Sequence, residues 1–295
     1  MERSSFRFLD RLRVRWAEVD MQRIVFNAHY LMYFDTAMAG YWRAMALPYH
    51  ETFERLQGDL YVRKATLEYL GSARYDDLCD VGLRCQRIGT SSITFVAALF
   101  RAEQCLVHGE LVYVFADPAT QSSRPVPNAL RDALDAFERG EAMFTVRTGA
   151  WADLASLAAP LRHEVFVQEQ RIDASIERDE RDADALHVVV RNRLGMVLAT
   201  GRLLWPEPGA ALAEARIGRM AVHKDVRGSG LGAAVLGALA REASERGCKG
   251  LSLQAQASAI EFYRRQGFVP RGEPSVIVGL PHQAMVRPLA SGDRP

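Results

Sequence analysis

The chain has 295 residues, 48% of them apolar and 25% charged, with a formal net charge of +1. That length accommodates two domains of roughly 100–200 residues each, and the composition is that of an ordinary globular protein. The near-neutral balance excludes a global basic field for nucleic acid, and no apolar run approaches the roughly 20 residues that span a bilayer.

The first residues, Met1 to Phe6, have neither the apolar stretch nor the small-residue cleavage site of a secretory leader, so a cytoplasmic chain is expected. Cys79, Cys85, Cys105 and Cys248 form no CxxC pair, so free thiols and no metal site are expected.

In chain order, Leu12, Val14 and Trp16 alternate with Arg11, Arg13 and Arg15, the period of a half-buried strand. A loop follows from Asp20 to about Asn27. Leu31, Phe34, Met38, Tyr41, Trp42 and Met45 then recur at three- and four-residue spacing, which predicts a helix with a broad apolar face, and Pro48 fits its end. Four strand-like runs come next, at about 60–70, 79–88, 92–101 and 106–116. One long helix followed by antiparallel strands is an α+β pattern, in which the sheet must wrap the apolar helix to bury it.

These residues resemble a known family. Arg15-Trp16-Ala17-Glu18-Val19-Asp20, followed by Ile24-Val25-Phe26-Asn27-Ala28-His29-Tyr30-Leu31 and Tyr33-Phe34-Asp35, resembles the opening of the 4-hydroxybenzoyl-CoA thioesterase branch of the hotdog fold. Ala73–Asp77, Ile88–Ser92 and Glu110–Val114 resemble its later turn, hairpin and strand, so that the resemblance covers about Arg7 to Pro127. It implies hydrolysis of an acyl-CoA thioester. Asp20 takes the place of the family's carboxylate, which activates water or attacks the carbonyl. Helix N-terminal amides near Asn27 and Ala28 would meet the oxyanion. An isolated Asp in such a place is otherwise a loop or cap residue, and His29 reads as a structural histidine. Two positions depart from the family pattern: Arg23 stands where many relatives have Gly, and Glu18 where many have Asp.

The Pro- and Ser-rich stretch Asp117–Pro127 reads as a linker. After it, Leu130, Leu134 and Phe137 predict a helix with Gly140 as its stop. The expected division is 1–139, linker included, and 140–295. In the second part, Met143–Trp151 reads as a strand, and Leu154, Leu157, Leu161 and Val165 as a helix. Strands are expected near His187–Arg191, Val197–Leu204 and Ile217–Val222. Directly after the last comes Arg227-Gly228-Ser229-Gly230-Leu231-Gly232, then a helix marked by Leu231, Val235 and Leu239. Strand, glycine-rich turn and helix together make an anion-binding arrangement. The Lys of a P-loop is absent, and the turn does not open an initial βαβ unit as a dinucleotide fold requires.

The spacing of Arg227, Gly230 and Gly232 resembles the pyrophosphate loop of the GNAT acyltransferases. The stretch Ala259–Phe268 resembles that family's late helix, and the resemblance spans about Phe144 to Leu289. Val165–Gln170 and Gly279–Met285 further resemble a bacterial, small-molecule-directed branch. The resemblance implies a mixed α/β domain that transfers an acyl group, above all acetyl, from CoA to a small amine. No cofactor would be tightly bound; acyl-CoA or acetyl-CoA is the substrate. Met220, Ala221 and Val222 would hold the pantetheine arm, the turn from Arg227 through Gly228, Ser229, Gly230 and Leu231 to Gly232 the pyrophosphate, and Gln256 the cofactor by its amide. Tyr263 matches the proton donor to the departing thiolate; by itself it also reads as a packed aromatic.

The general base stays open among His187, His282, Glu169, Glu180 and Asp182, with His282 and Glu169 first. The charge run Glu177–Asp182 reads as a solvated loop. Two readings of the whole follow. One is a bifunctional acyl-CoA enzyme, homo-oligomeric through its hotdog half. In the other, which Arg23 supports, the hotdog half is a non-catalytic dimerisation and acyl-CoA-binding module.

Overall fold

The computed structural model describes residues 1–207 and 213–289, and these fall into two compact bodies that divide between Met143 and Phe144. In the first body, β1 (Phe8–Arg13) leads through a short 3₁₀ turn to α1 (Asn27–Ala44) and α2 (Tyr49–Arg55). Then come β2 (Asp59–Tyr69), β3 (Leu78–Ile88), β4 (Ser92–Arg101), β5 (Gln104–Ala116) and α3 (Asn128–Glu138). The strands form one antiparallel sheet in the order β1-β3-β4-β5-β2.

The sheet wraps α1, whose Tyr30, Tyr33, Phe34, Ala37, Met38, Tyr41 and Trp42 are buried. Tyr41 and Trp42 set their rings edge-on to Phe95 of β4. On the other face of β4, Phe6 packs on Val96, Ala98 and Phe100, so this central strand is buried on both sides and its sequence does not alternate. This is the hotdog-like α+β arrangement.

Three local expectations change. The first strand ends at Arg13, and Trp16 lies in the 3₁₀ turn with 76% of its surface exposed. Pro48 does not end α1; it precedes α2, where its fixed φ suits a helix start. The stretch Asp117–Pro127 does not separate the bodies. Ala116 bridges Ser123, the Arg124 amide donates to Phe115 O, the Val126 amide donates to Thr90 O, and α3 docks beside α1. Phe137 packs on Tyr41, and the Glu138 carboxylate accepts from the Tyr41 hydroxyl and the Cys85 amide.

The second body contains β6 (Phe144–Ala150), α4 (Trp151–Arg162), α5 (Ala174–Glu177), β7 (Leu186–Asn192), β8 (Val197–Leu204), β9 (Glu214–Val222), α6 (Leu231–Glu245), β10 (Gly250–Gln256) and α7 (Ile260–Arg265). It ends with β11 (Val269–Pro270), β12 (Ser275–Ile277) and β13 (Leu280–Pro288). The sheet order is β11-β13-β10-β9-β8-β7-β6, antiparallel except between β9 and β10, with β12 added to β13. Leu154 and Ala158 of α4 pack on Val189, while Val235 and Leu239 of α6 close on Gly201. Val189 pairs with Thr200 and Val188 with Gly201, so α4 and α6 cover opposite faces. This is a GNAT-like mixed sheet with helices. Among the described residues no helix is long and apolar enough to cross a membrane.

The run Glu177–Asp182 is only partly the solvated loop expected: residues 178–181 are exposed, but Glu177 and Asp182 at its two ends are buried. Arg162, Glu177, Asp182 and Arg202 are each at most 5% exposed. Arg162 donates to Glu177 and, at 2.9 and 3.0 Å, to both Asp182 oxygens; Arg202 donates to Asp182 at 2.8 Å. Opposite charges cancel, which is how ions survive burial. Burial pushes the Asp182 carboxyl up, but its two arginines outweigh that and hold it below the ordinary 3.8.

Removing one partner of such a pair strands the others. Asp182→Asn is therefore expected to cost about 3–5 kcal/mol. It would be read as a lower urea midpoint in tryptophan fluorescence, Trp151 lying against Arg162 and His187. A carboxyl with a depressed folded pKa stabilises above its unfolded value and loses that contribution as pH falls through the folded one. The gap between wild type and variant should then close below pH 3.8. An unchanged midpoint at neutral pH would contradict the role.

Candidate functional sites

In the first body the segment from Arg15 to Ala28 is built around two carboxylates. Glu18, 3% exposed, accepts from the Tyr33 hydroxyl at 2.6 Å, the Arg15 amide at 2.7 Å and Arg15 Nε at 2.6 Å. Burial pushes its pKa up, but these donors outweigh it and leave it below the ordinary value. Glu18 therefore ties the loop to α1.

Asp20 opens a tight turn. Val19 bridges Val25, the Asp20 amide donates to Ile24 O, the Arg23 amide donates back to Asp20 O, and Asp20 Oδ1 accepts from the Gln22 amide at 2.8 Å. The turn leads by Phe26 into the start of α1, which has no side-chain cap, with Asn27 and Ala28 exposed at its first positions. The first amides of a helix have no intrahelical partner. The Asn27 carbonyl accepts from Tyr69 at the end of β2. His29 rests half-buried, edge-on to Phe26.

Arg23, which stands where many relatives of the resembled family have Gly, keeps this turn left-handed. Its φ is +63, so it adopts the left-handed conformation that Gly adopts freely, and the departure from the family pattern does not require a different turn. The left-handed backbone costs an L-residue about 1–2 kcal/mol, partly offset by the greater unfolded-state freedom of Gly. Arg23→Gly is expected to raise stability by up to about 1 kcal/mol, seen as a higher thermal midpoint. A lower midpoint would mean that the Arg23 side chain holds the turn.

In the second body β9 and β10 pair only at Glu214–Arg216 with Gly250–Ser252. Beyond that they part: β9 stays with β8, and β10 with β13. The register of β8 against β9 shifts at Gly201, where Arg219 and Met220 face a single residue and Arg219 has φ +51. Such a bulge bends a strand and frees its backbone groups. Arg219 is pinned there by bonds to the Glu177 and Ile176 carbonyls and to Asp179. The edge of β9 through Met220, Ala221 and Val222 thus borders an open split.

The split leads to the glycine turn. After Val222 a 3₁₀ turn, Lys224–Val226, brings the chain to Arg227. Gly228 and Gly230 have φ +85 and +89, and a Cβ on either would meet nothing within 4 Å, so both are required by conformation and border open space. The Ser229 hydroxyl bonds back to Val226 O. Gly230 caps the 15-residue α6 with no side chain, leaving the amides at Leu231 and Gly232 directed outward, a ready site for an anion. Arg227 Nε donates to Val222 O at 3.0 Å.

Tyr263 lies on α7, 7% exposed between Phe262 and Phe268. Burial pushes its hydroxyl up to about 12, so it keeps its proton at neutral pH. Its neighbour Phe262 rests against Gly232, where an added Cβ would lie 3.3 Å from the ring. Gln256, at the end of β10, donates to Gln170 at 2.9 Å.

His282 pairs with Gln256 across β13 and β10, which puts the two side chains on one face. Its Nδ1 lies 2.8 Å from the Leu280 carbonyl. A carbonyl only accepts, so in the neutral ring Nδ1 carries the hydrogen and Nε2 is the basic nitrogen.

The other base candidates have different partners. Glu169 grips Arg227 with both oxygens at 2.7 and 2.6 Å, which lowers its pKa and makes it a weaker base. His187 is fully buried, its Nε2 bonded to Asp182 O. Asp182 belongs to the ion network, and Glu180 starts a 3₁₀ turn beside it.

The site therefore draws together Arg227–Gly232, Glu169, Gln170, Gln256 and His282; of α7, Phe262 touches its glycine turn, while the buried Tyr263 contacts Phe262 and Phe268. The sequence reading missed Gln170 and the pairing of Glu169 with Arg227. Their signal was weak: Pro160 removes a helical hydrogen bond inside α4, and the chain then widens into a π-helical turn, His163–Glu169, that delivers both residues.

Fold and site define a two-domain protein of the acyl-CoA-related class: a hotdog-like body followed by an acyltransferase-like one with a glycine turn at the uncapped start of α6. Comparison with known proteins agrees. Residues 14–134 match the thioesterase-like superfamily model and residues 151–268 that of the acetyltransferase (GNAT) family. The uncharacterized N-acetyltransferase YjcF of Bacillus subtilis is 32% identical over 128 residues, 43% of this chain and 87% of the relative. The chain belongs to the GNAT family through its C-terminal half and carries a thioesterase-like domain in its N-terminal half.

Among solved structures, an acyl-CoA N-acyltransferase from Pseudomonas aeruginosa is 30% identical, covering 49% of this chain and 99% of that one, with a TM-score of 0.44. The PA2801 protein of the same species, described as a candidate thioesterase, is 23% identical, covering 42% and 95%, with a TM-score of 0.38.

Proposed function

We propose that the chain is a cytoplasmic bifunctional enzyme that acts on acyl-CoA in both halves. The observation that carries this reading is the split between β9 and β10, which ends at the uncapped start of α6 and the glycine turn. The edge Met220–Val222, unpaired with β10, takes the pantetheine arm as a missing strand would, the turn Arg227–Gly232 takes the pyrophosphate, and Gln256 lies beside the cofactor. A small amine attacks the thioester carbonyl, and His282 Nε2 receives the amine proton. The tetrahedral adduct then collapses with cleavage of the carbon–sulfur bond, and Tyr263 gives its proton to the CoA thiolate. Acetyl is the acyl group of first choice, and no tightly bound cofactor is needed.

In the first half, Asp20 serves hydrolysis as base or nucleophile, and the amides of Asn27 and Ala28 meet the oxyanion. A homo-oligomer through this half is supported by β2, an edge strand that exposes Tyr61, Val62 and Tyr69. One observation favours the second reading, a binding and dimerisation module without hydrolysis: one Asp20 oxygen is already engaged by its own turn. The two readings separate on free-thiol release by the full chain from a panel of acyl-CoAs, with and without candidate amines. Release without amine supports hydrolysis; release only with amine leaves the acyltransferase alone.

A further inference from the structure

Arg227 is the side-chain cation of the glycine turn, and each of its three nitrogens has a partner within the chain. Nε donates to Val222 O, and the two terminal nitrogens meet the two oxygens of Glu169. A guanidinium fork of this geometry suits one carboxylate or one phosphate at a time. Glu169 closes the π-helical turn, and the next residue, Gln170, accepts from Gln256 at the end of β10. Residues 169 and 170 therefore reach from the glycine turn to the strand on the far side of the split.

We propose that Glu169 is a gate on the pyrophosphate turn: its carboxylate competes with the incoming diphosphate for Arg227, and the coenzyme must take that cation to seat itself. This rests on the reading of Arg227–Gly232 as the CoA cradle. The pair is suited to yielding, because its side chains are 44% and 39% exposed and water screens it. A diphosphate carries more charge than a carboxylate and also receives the α6 amides, so it wins the exchange. A monoanion gains little over Glu169 and is rejected. Once displaced, Glu169 releases the segment that also holds Gln256, linking occupancy of the turn to the amide beside His282.

The test is calorimetric titration of the full chain with CoA, and separately with inorganic pyrophosphate, in wild type, Glu169→Gln, Arg227→Gln and the double variant. Glu169→Gln is expected to tighten both ligands roughly three- to tenfold, the range of an exposed bidentate pair plus the relieved repulsion. Glu169→Ala should act in the same direction. In the Arg227→Gln background the gain should shrink to less than about twofold, since the competition has no object. An unchanged or weaker affinity in Glu169→Gln overturns the gate and leaves the cradle standing. An equal gain with and without Arg227 also overturns it, because the effect would then be general repulsion. A wild-type chain that binds no CoA removes the cradle and the gate together.

Discussion

Asp20→Asn is expected to lower acyl-CoA hydrolysis by roughly 100-fold or more, the usual loss when a positioned base or nucleophile is removed. The substitution is informative because of the turn it sits in. Asp20 Oδ1 accepts from the Gln22 amide, while the backbone of the same residue bonds Ile24 and Arg23. The amide oxygen of Asn accepts the same bond, so turn and fold persist and only the basicity is lost. Asp20→Ala lacks the acceptor and would confuse loss of chemistry with loss of the turn. The measurement is free-thiol release without amine, beside a thermal midpoint that should not move. Unchanged release in a correctly folded Asp20→Asn chain would take Asp20 out of the mechanism and favour the binding-module reading of the hotdog half.

Much of the architecture was legible because it rests on short-range periodicity. The four strands after α1 and the strands β7 and β8 follow from runs of apolar residues. Helix α1 follows from Phe34, Met38, Tyr41 and Trp42 at helical spacing, all of them buried. The glycine turn was legible because Gly228 and Gly230 have φ values that other residues avoid. Where tertiary context decides, the sequence misled. Arg15 and Trp16 continue an alternating pattern, yet the Glu18 carboxylate takes the Arg15 amide and the chain enters a 3₁₀ turn. Arg23 shows that a left-handed turn can be held without Gly when its neighbours bond across it. Residues 178–181 do face solvent, but Glu177 and Asp182 on either side of them are buried against Arg162 and Arg202, 15 to 20 residues away in the chain. Glu169 looked like a base because partners distant in sequence leave no periodic mark; its partner Arg227 lies 58 residues further on.

Tyr263→Phe is expected to lower amine acylation by roughly 100-fold or more, the usual contribution of a positioned general acid. The ring contacts with Phe262 and Phe268 survive the change, since only the hydroxyl is lost and the packing is made by the ring. Burial that holds the hydroxyl at about 12 is what keeps the proton available, so acylation should show no loss from ionisation of Tyr263 up to that pH. Thioester hydrolysis without amine should be nearly untouched, because Asp20 and Tyr263 belong to separate compact bodies. Both activities are to be followed in Asp20→Asn, Tyr263→Phe and the double variant. Independent sites give a double variant that loses each activity by its own single-variant factor. Should Tyr263→Phe abolish hydrolysis as strongly as Asp20→Asn, the apparent hydrolysis is water replacing the amine in the acyltransferase, and the hotdog half is its non-catalytic companion.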